Sequence, residues 1–267
     1  MSATKKISLV DSHCHLDLPA LYDDLDNVIS AAFNNSIQYL QTISTQLKEI
    51  NKIRKIAEDY ANIFFSVGNH PLNLETEGVV SCEKIIDLCV HRKATAIGET
   101  GLDYHYSKNK VKIQQDSFIE HIKAAQITGL PIIVHTRNAE NDTIDILTKM
   151  YKKKHFNGVI HCFTASDKFA VECLKIGLYI SASGIVTFKN AKNIADVFQK
   201  TVPLERILVE TDAPYLAPVP LRGEKNQPAN LVHTAKFMAN LLEIDYYKLC
   251  EKTTENYFDL FSKAAQS

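Results

Sequence analysis

Short apolar, β-branched runs recur eight times along the chain, at residues 7–11, 37–43, 63–67, 94–98, 131–134, 158–160, 178–181 and 207–210. Each predicts a buried strand. Between them apolar positions recur at helical spacing, as in Leu47, Ile50, Ile53, Ala57 and Tyr60, or in Phe118, Ile122 and Ala125, with charged residues on the other faces. Strands that alternate strictly with helices must be joined by right-handed crossovers into a parallel sheet, and eight such units predict closure into a barrel. The expected fold is therefore α/β, a TIM-like (β/α)8 barrel in a single domain spanning residues 1–267, since such a barrel takes about 250 residues. No GxGxxG or GxxxxGK[ST] loop supports a nucleotide-binding open sheet instead. The proline-rich stretch 213–228 reads as a long final loop on the face where such barrels carry function.

Composition changes this picture little. With 45% hydrophobic and 23% charged residues, the chain can bury a core without disulfide or metal staples. Six cysteines (Cys14, Cys82, Cys89, Cys162, Cys173, Cys250) lie scattered, with no CxxC pair, and are read as free thiols. Residues 1–8 hold no apolar stretch of signal-peptide length, and no run approaches the ~20 apolar residues of a membrane span, so a cytoplasmic protein without membrane association is expected. Without heptads, a monomer is the default. A formal net charge of −1, with both signs interleaved, is not the footprint of a tight non-specific nucleic-acid binder, so a nucleic-acid substrate would have to be held locally.

The chemistry lies in where the ionisable residues fall. Asp11, His13, His15, Glu99, His135, His161, Glu210 and Asp212 stand at or just past predicted strand ends, and in a barrel those ends converge on one rim. In Asp11-Ser12-His13-Cys14-His15, period-2 alternation turns both imidazoles inward and Cys14 towards the helices, a geometry that can chelate one ion. Glu99, between Gly98 and Gly101, is placed to bridge two cations at the ~3.5–4 Å separation of two-metal hydrolases. His135 and His161 end similar apolar runs. Glu210 and Asp212, two apart on a segment expected to be extended, should both point inward, where a divalent cation offsets the burial of two carboxylates. The expected ligands are His13, His15, Glu99, His135, His161 and Asp212, with Glu99 and Asp212 also catalytic and Asp212 taking a proton from metal-activated water. Mixed imidazole and carboxylate ligation without thiolate suits two divalent ions, with Mg or Mn ranked first and Zn also fitting.

Taken in order and spacing, DSHCHL (11–16), GNHP (68–71), GETGLDYH (98–105), PIIVHTR (131–137), HCFTAS (161–166), ETDAPYLAP (210–218) and RGEKNQP (222–228) resemble the TatD-type metal-dependent deoxyribonucleases of the amidohydrolase superfamily over nearly the whole chain. The resemblance implies a TIM-like barrel with one to three divalent ions that hydrolyses phosphodiesters, commonly as a 3′ to 5′ exonuclease on single-stranded DNA or RNA. It implies the same six ligands. It also sets Arg137, Arg222 and Asn226 near the substrate, where a guanidinium can hold phosphate by paired hydrogen bonds; loop-closing hydrogen bonds are the other reading of these three. His70 reads either as a substrate contact or as a turn residue before Pro71. The chain departs from the family pattern at Leu72, where a histidine is common, and at Lys225 and Gln227, which alters the expected grip on substrate. Three further readings of the constellation stay open: an aminoacyl-tRNA ester hydrolase, another amidohydrolase acting on C–N bonds, and a catalytically silent metal-binding barrel.

Overall fold

Strands β1 (Leu9–Cys14), β2 (Ile37–Thr42), β3 (Ile63–Val67), β4 (Ala94–Asp103), β5 (Ile132–Arg137), β6 (Gly158–Ile160), β7 (Tyr179–Ala182) and β8 (Ile207–Val209) follow the eight predicted runs in a computed structural model describing residues 8–266. Residues 1–7, including Ile7 of the first predicted strand, lie outside the described residues. The strands pair in parallel in sequence order. Past the end of β8 the chain turns back onto β1: His15 N donates to Ala213 O (2.8 Å) and Asp212 N to His13 O (2.9 Å), which closes the barrel.

The apolar residues divide between two faces of this sheet. One large cluster fills the shell between strands and helices, and a second fills the barrel itself, with Val10, Phe64, Ala96, Ile133, Val159, Tyr179 and Leu208 meeting Tyr257, Leu260 and Phe261 at the end of the helix Tyr246–Leu260. The interior is thus packed rather than open, as expected of an eight-stranded barrel. Tyr257 is fully buried, and its Oη donates to Gln41 Oε1 (2.7 Å), so the polar tip of a large apolar side chain is satisfied inside the core.

Two irregularities re-aim the strands. Val10 belongs to the interior cluster and Cys14 to the outer one, although strict alternation would put residues four apart on the same face. A register shift between Asp11 and Cys14 accounts for the switch. It leaves His13 and His15 facing the cavity with Cys14 packed outside. It also removes Asp11 from the cluster of site residues. The Asp11 carboxylate accepts from Thr211 N (2.9 Å) and Thr211 Oγ1 (2.5 Å), lacing β1 to the chain beyond β8, so it is a seam residue rather than part of the cavity.

The second irregularity lies in β4, which does not stop at Gly98 as predicted but continues to Asp103, with a register shift against β5 between Ile97 and Thr100. Glu99 therefore sits within the strand. Gly101 has φ +140, and a Cβ there would lie 2.0 Å from His135 O, so β4 and β5 approach as closely as they do only because this residue is glycine. Gly101→Ala should destabilise the fold by about 2–5 kcal/mol, combining backbone strain with overpacking. A chemical denaturation midpoint equal to that of the parent protein would contradict this.

The helix Val111–Thr128 braces the loop that follows β3. His121 is buried on this helix; its Nδ1 donates to Ser117 O (2.8 Å) and its Nε2 accepts from Asn69 N (3.1 Å). Burial pushes the ring down from its ordinary 6.5 to about 4. Because the folded value is depressed, protonation favours the unfolded chain: the contribution is complete above pH 6.5 and is lost as pH falls from 6.5 to 4, about 3 kcal/mol in all. In His121→Gln, whose amide oxygen can still accept from Asn69, the stability difference between pH 7 and pH 4 should shrink by that amount in urea titrations. An unchanged difference would rule out His121 as its source.

Candidate metal centre

The mouth of the barrel gathers the six predicted ligands around Glu99. Its Oε1 lies 2.7 Å from His161 Nε2 and 3.0 Å from His135 Nδ1, while its Oε2 lies 3.4 Å from His13 Nε2. Asp212 Oδ1 stands 3.3 Å from His15 Nε2 and 3.6 Å from His13 Nε2. The His13 and His161 rings stack with centroids 4.0 Å apart. Burial alone would raise the Glu99 carboxyl, but the charge of His161, with the His70, His13 and His135 imidazoles around it, outweighs burial and holds the group well below the usual carboxylate range. Burial likewise opposes the charged form of His161, yet Glu99 and Glu210 raise it well above its ordinary value.

These side chains fit divalent metal. His13 Nδ1 and Nε2, His15 Nδ1 and His161 Nδ1 are buried without a hydrogen-bond partner, and each buried orphan of this kind costs about 1–3 kcal/mol unless something binds it. Among the described residues, three sets bring ligand atoms within 4.8 Å of one another: His13, His161 and Glu210; His13, His15 and Asp212; His70, Glu99 and His135. A cation at the cluster would take the place of the protons that its histidines and carboxylates otherwise share.

Two carboxylates outside the six expected ligands join the cluster, Asp103, which the sequence reading missed, and Glu210, which it turned inward beside Asp212. Asp103 Oδ2 accepts from His135 Nε2 (3.2 Å), which leaves the Nδ1 lone pair facing Glu99 and the cluster. Asp103 is itself held, since its Oδ1 accepts from His105 N and Tyr106 N, both at 2.9 Å. Reading β4 through to residue 103 would have found it, because residues 99, 101 and 103 alternate onto one face. Glu210 Oε1 accepts from Cys162 N (2.6 Å) and lies 3.4 Å from His161 Nδ1. Glu210 and Asp212 do reach the same cavity, but not along an extended segment: β8 ends at Val209 and Asp212 has φ +56, a left-handed conformation that a short polar side chain tolerates.

The expected substrate residues separate. His70 does both things foreseen for it. It caps the turn Pro71–Asn73, its Nδ1 accepting from Leu72 N (3.2 Å), and this leaves Nε2 protonated, 3.4 Å from Glu99 Oε1. In that tautomer His70 donates into the site rather than ligating through Nε2. Arg137 and Arg222 are exposed at the rim, their guanidinium carbons 4.7 Å from the Tyr106 ring centroid and 3.7 Å from that of Phe188, and neither has a carboxylate partner among the described residues. Asn226 is a correction. It is wholly buried, its Nδ2 donating to Thr211 O and Tyr215 O and its Oδ1 accepting from Gln227 N and Asn230 Nδ2, so no hydrogen-bonding capacity is left for substrate. It clamps the final loop, which Lys225 also fastens by donating to Ala20 O (3.0 Å). All six cysteines are free.

The profile of the family described as TatD related DNase matches residues 10–262. The chain belongs to the TatD family. Among its TatD-type relatives, the uncharacterized metal-dependent hydrolase YcfH of Escherichia coli K12 is 43% identical over 256 residues, 95% of each chain. YabD of Bacillus subtilis, an uncharacterized metal-dependent hydrolase too, is 37% identical over 95% of this chain and 98% of its own. Of solved structures, the TatD homologue YjjV of Escherichia coli K12 superposes with a TM-score of 0.89 at 26% identity, covering 95% of this chain and 98% of that one. The hydrolase TatD family protein of Entamoeba histolytica shares the fold, with a TM-score of 0.79 at 20% identity over 96% and 99% of the two chains. No helix among the described residues is long and apolar enough to cross a membrane.

Proposed function

We propose that this TatD protein is a metal-dependent nuclease, hydrolysing phosphodiester bonds of single-stranded nucleic acid from the 3′ end. The observation that carries the metal-dependent hydrolysis is the environment of Glu99, whose two oxygens face different histidines, His135 and His161 on one side and His13 on the other, as a carboxylate shared by two cations requires. His13, His15 and Asp212 would hold one ion and His135 and His161 the other, with Mg or Mn favoured and Zn compatible. Bound there, divalent ions supply the Lewis acidity that makes water a nucleophile near neutral pH and offsets charge on the phosphate.

The chain's own residues do the rest. Asp212 is ionised, because contacts with His15 and His13 outweigh burial and lower its carboxyl, and it accepts the proton of the attacking water. Asp103 fixes the His135 tautomer. His70 Nε2–H and the unpaired guanidiniums of Arg137 and Arg222 supply donors for phosphate oxygens, which is the feature favouring a phosphodiester over an aminoacyl ester or a C–N substrate. The test is incubation of the purified protein with 3′- and 5′-labelled single-stranded DNA and RNA in Mg, Mn, Zn or EDTA. Metal-dependent laddering from the 3′ end is expected. No cleavage by protein with metal verified as bound would overturn the nuclease reading and return weight to ester or C–N hydrolysis.

A further inference from the structure

The barrel mouth carries two tyrosines exposed far beyond what core packing needs. Tyr106, on the loop after β4, is 63% exposed, and Tyr215, on the loop after β8, is 55% exposed. In an eight-stranded barrel paired in sequence order, β4 and β8 lie on opposite sides. The cluster around Glu99 draws side chains from the ends of both strands and of those between them. The Tyr215 ring stands 6.2 Å from that of His15, at 67°, and the backbone of Tyr106 is fastened to the same Asp103 that orients His135.

Neither ring sits on a loose loop. Tyr215 N donates to Asp212 O (3.0 Å) and its carbonyl accepts from the buried Asn226 amide (2.6 Å). Tyr106 N is held by Asp103, and the Arg137 guanidinium lies over one face of its ring. On the β4 and β5 side an exposed ring meets a guanidinium, Tyr106 with Arg137, and on the other side Tyr215 and Arg222 share the loop that follows β8, with the Arg222 guanidinium over the Phe188 ring. Aromatic faces stack nucleobases whatever their identity, and arginines beside them bind the connecting phosphates. A chain of net charge −1 needs such local grip, because it has no general field to attract a polyanion.

Building on the nuclease reading above, we infer that the substrate strand crosses the barrel mouth along the β8-to-β4 diameter, with one base stacked on Tyr215 and another on Tyr106, on either side of the phosphate at the metal centre. Stacking on both rings requires unpaired bases, so these two tyrosines select single strands over duplex and do so without regard to sequence.

The experiment compares metal-loaded wild type, Tyr215→Ala, Tyr215→Trp and Tyr106→Ala on a labelled single-stranded oligonucleotide and on a strand of equal length in which base-lacking spacers replace the nucleotides at its cleaved end. Wild type should favour the base-bearing strand about 5- to 100-fold, mainly through KM. That ratio should fall towards one in Tyr215→Ala, fall in part in Tyr106→Ala, and return in Tyr215→Trp, with metal content by elemental analysis equal in all four. Equal KM for both strands in wild type, or a ratio unmoved by both alanine substitutions, overturns the inference while leaving the nuclease reading standing. Absence of cleavage of either strand by the metal-loaded wild type overturns both.

Discussion

Asp212→Asn should lower kcat on a single-stranded oligonucleotide by about 10²–10⁴-fold, the range over which a positioned general base contributes. The substitution keeps the size and shape of the side chain and removes its ability to accept a proton. It should not unfold the protein. The backbone bond from residue 212 N to His13 O is indifferent to the side chain, and asparagine tolerates the left-handed φ of +56 as well as aspartate does. Thermal unfolding and circular dichroism should therefore match the parent protein while turnover collapses. Full activity in the variant would remove Asp212 from the mechanism, and a collapse of both fold and activity would assign it a structural role instead.

Glu99→Gln should have the largest effect on metal content. The Glu99 carboxylate is the negative charge shared by His13, His135 and His161. In the proposed two-ion arrangement, replacing it with a neutral amide would remove the group that offsets repulsion between the cations, so at least one equivalent of metal should be lost on dialysis, with a kcat fall of about 10²-fold or more. The amide also directs an N–H at imidazole nitrogens that previously faced an acceptor or an ion, which adds an unsatisfied buried contact. Elemental analysis of wild type and variant, dialysed side by side, decides the matter. Equal stoichiometry in the two would exclude a bridging role for Glu99.

These expectations rest on a centre whose parts differ in how far they can be read from the chain. The eight strands were legible because a strand buried on both faces must be a continuous apolar run, a property each segment carries alone. His13, His15, Glu99, His135, His161 and Asp212 were legible because a barrel sends all its strand ends to one rim. Asp103 was missed because β4 reads as ending at Gly98, whereas close packing of Gly101 on the β5 backbone extends it to residue 103. Asn226 reads equally as a substrate contact or a loop clamp until its four partners are seen.

By itself, then, the sequence determined the alternation of elements, the closure it implies and the chemical types that meet at the mouth, since periodicity and residue type are local. Tertiary structure decided which of those residues face the cavity. Asp11 and His13 are two apart and alike in sequence context, yet a register shift in β1 sends one to Thr211 at the barrel seam and the other to the cluster. That choice depends on a partner 200 residues away, and hydrogen bonds across such separations exist only once the barrel has closed.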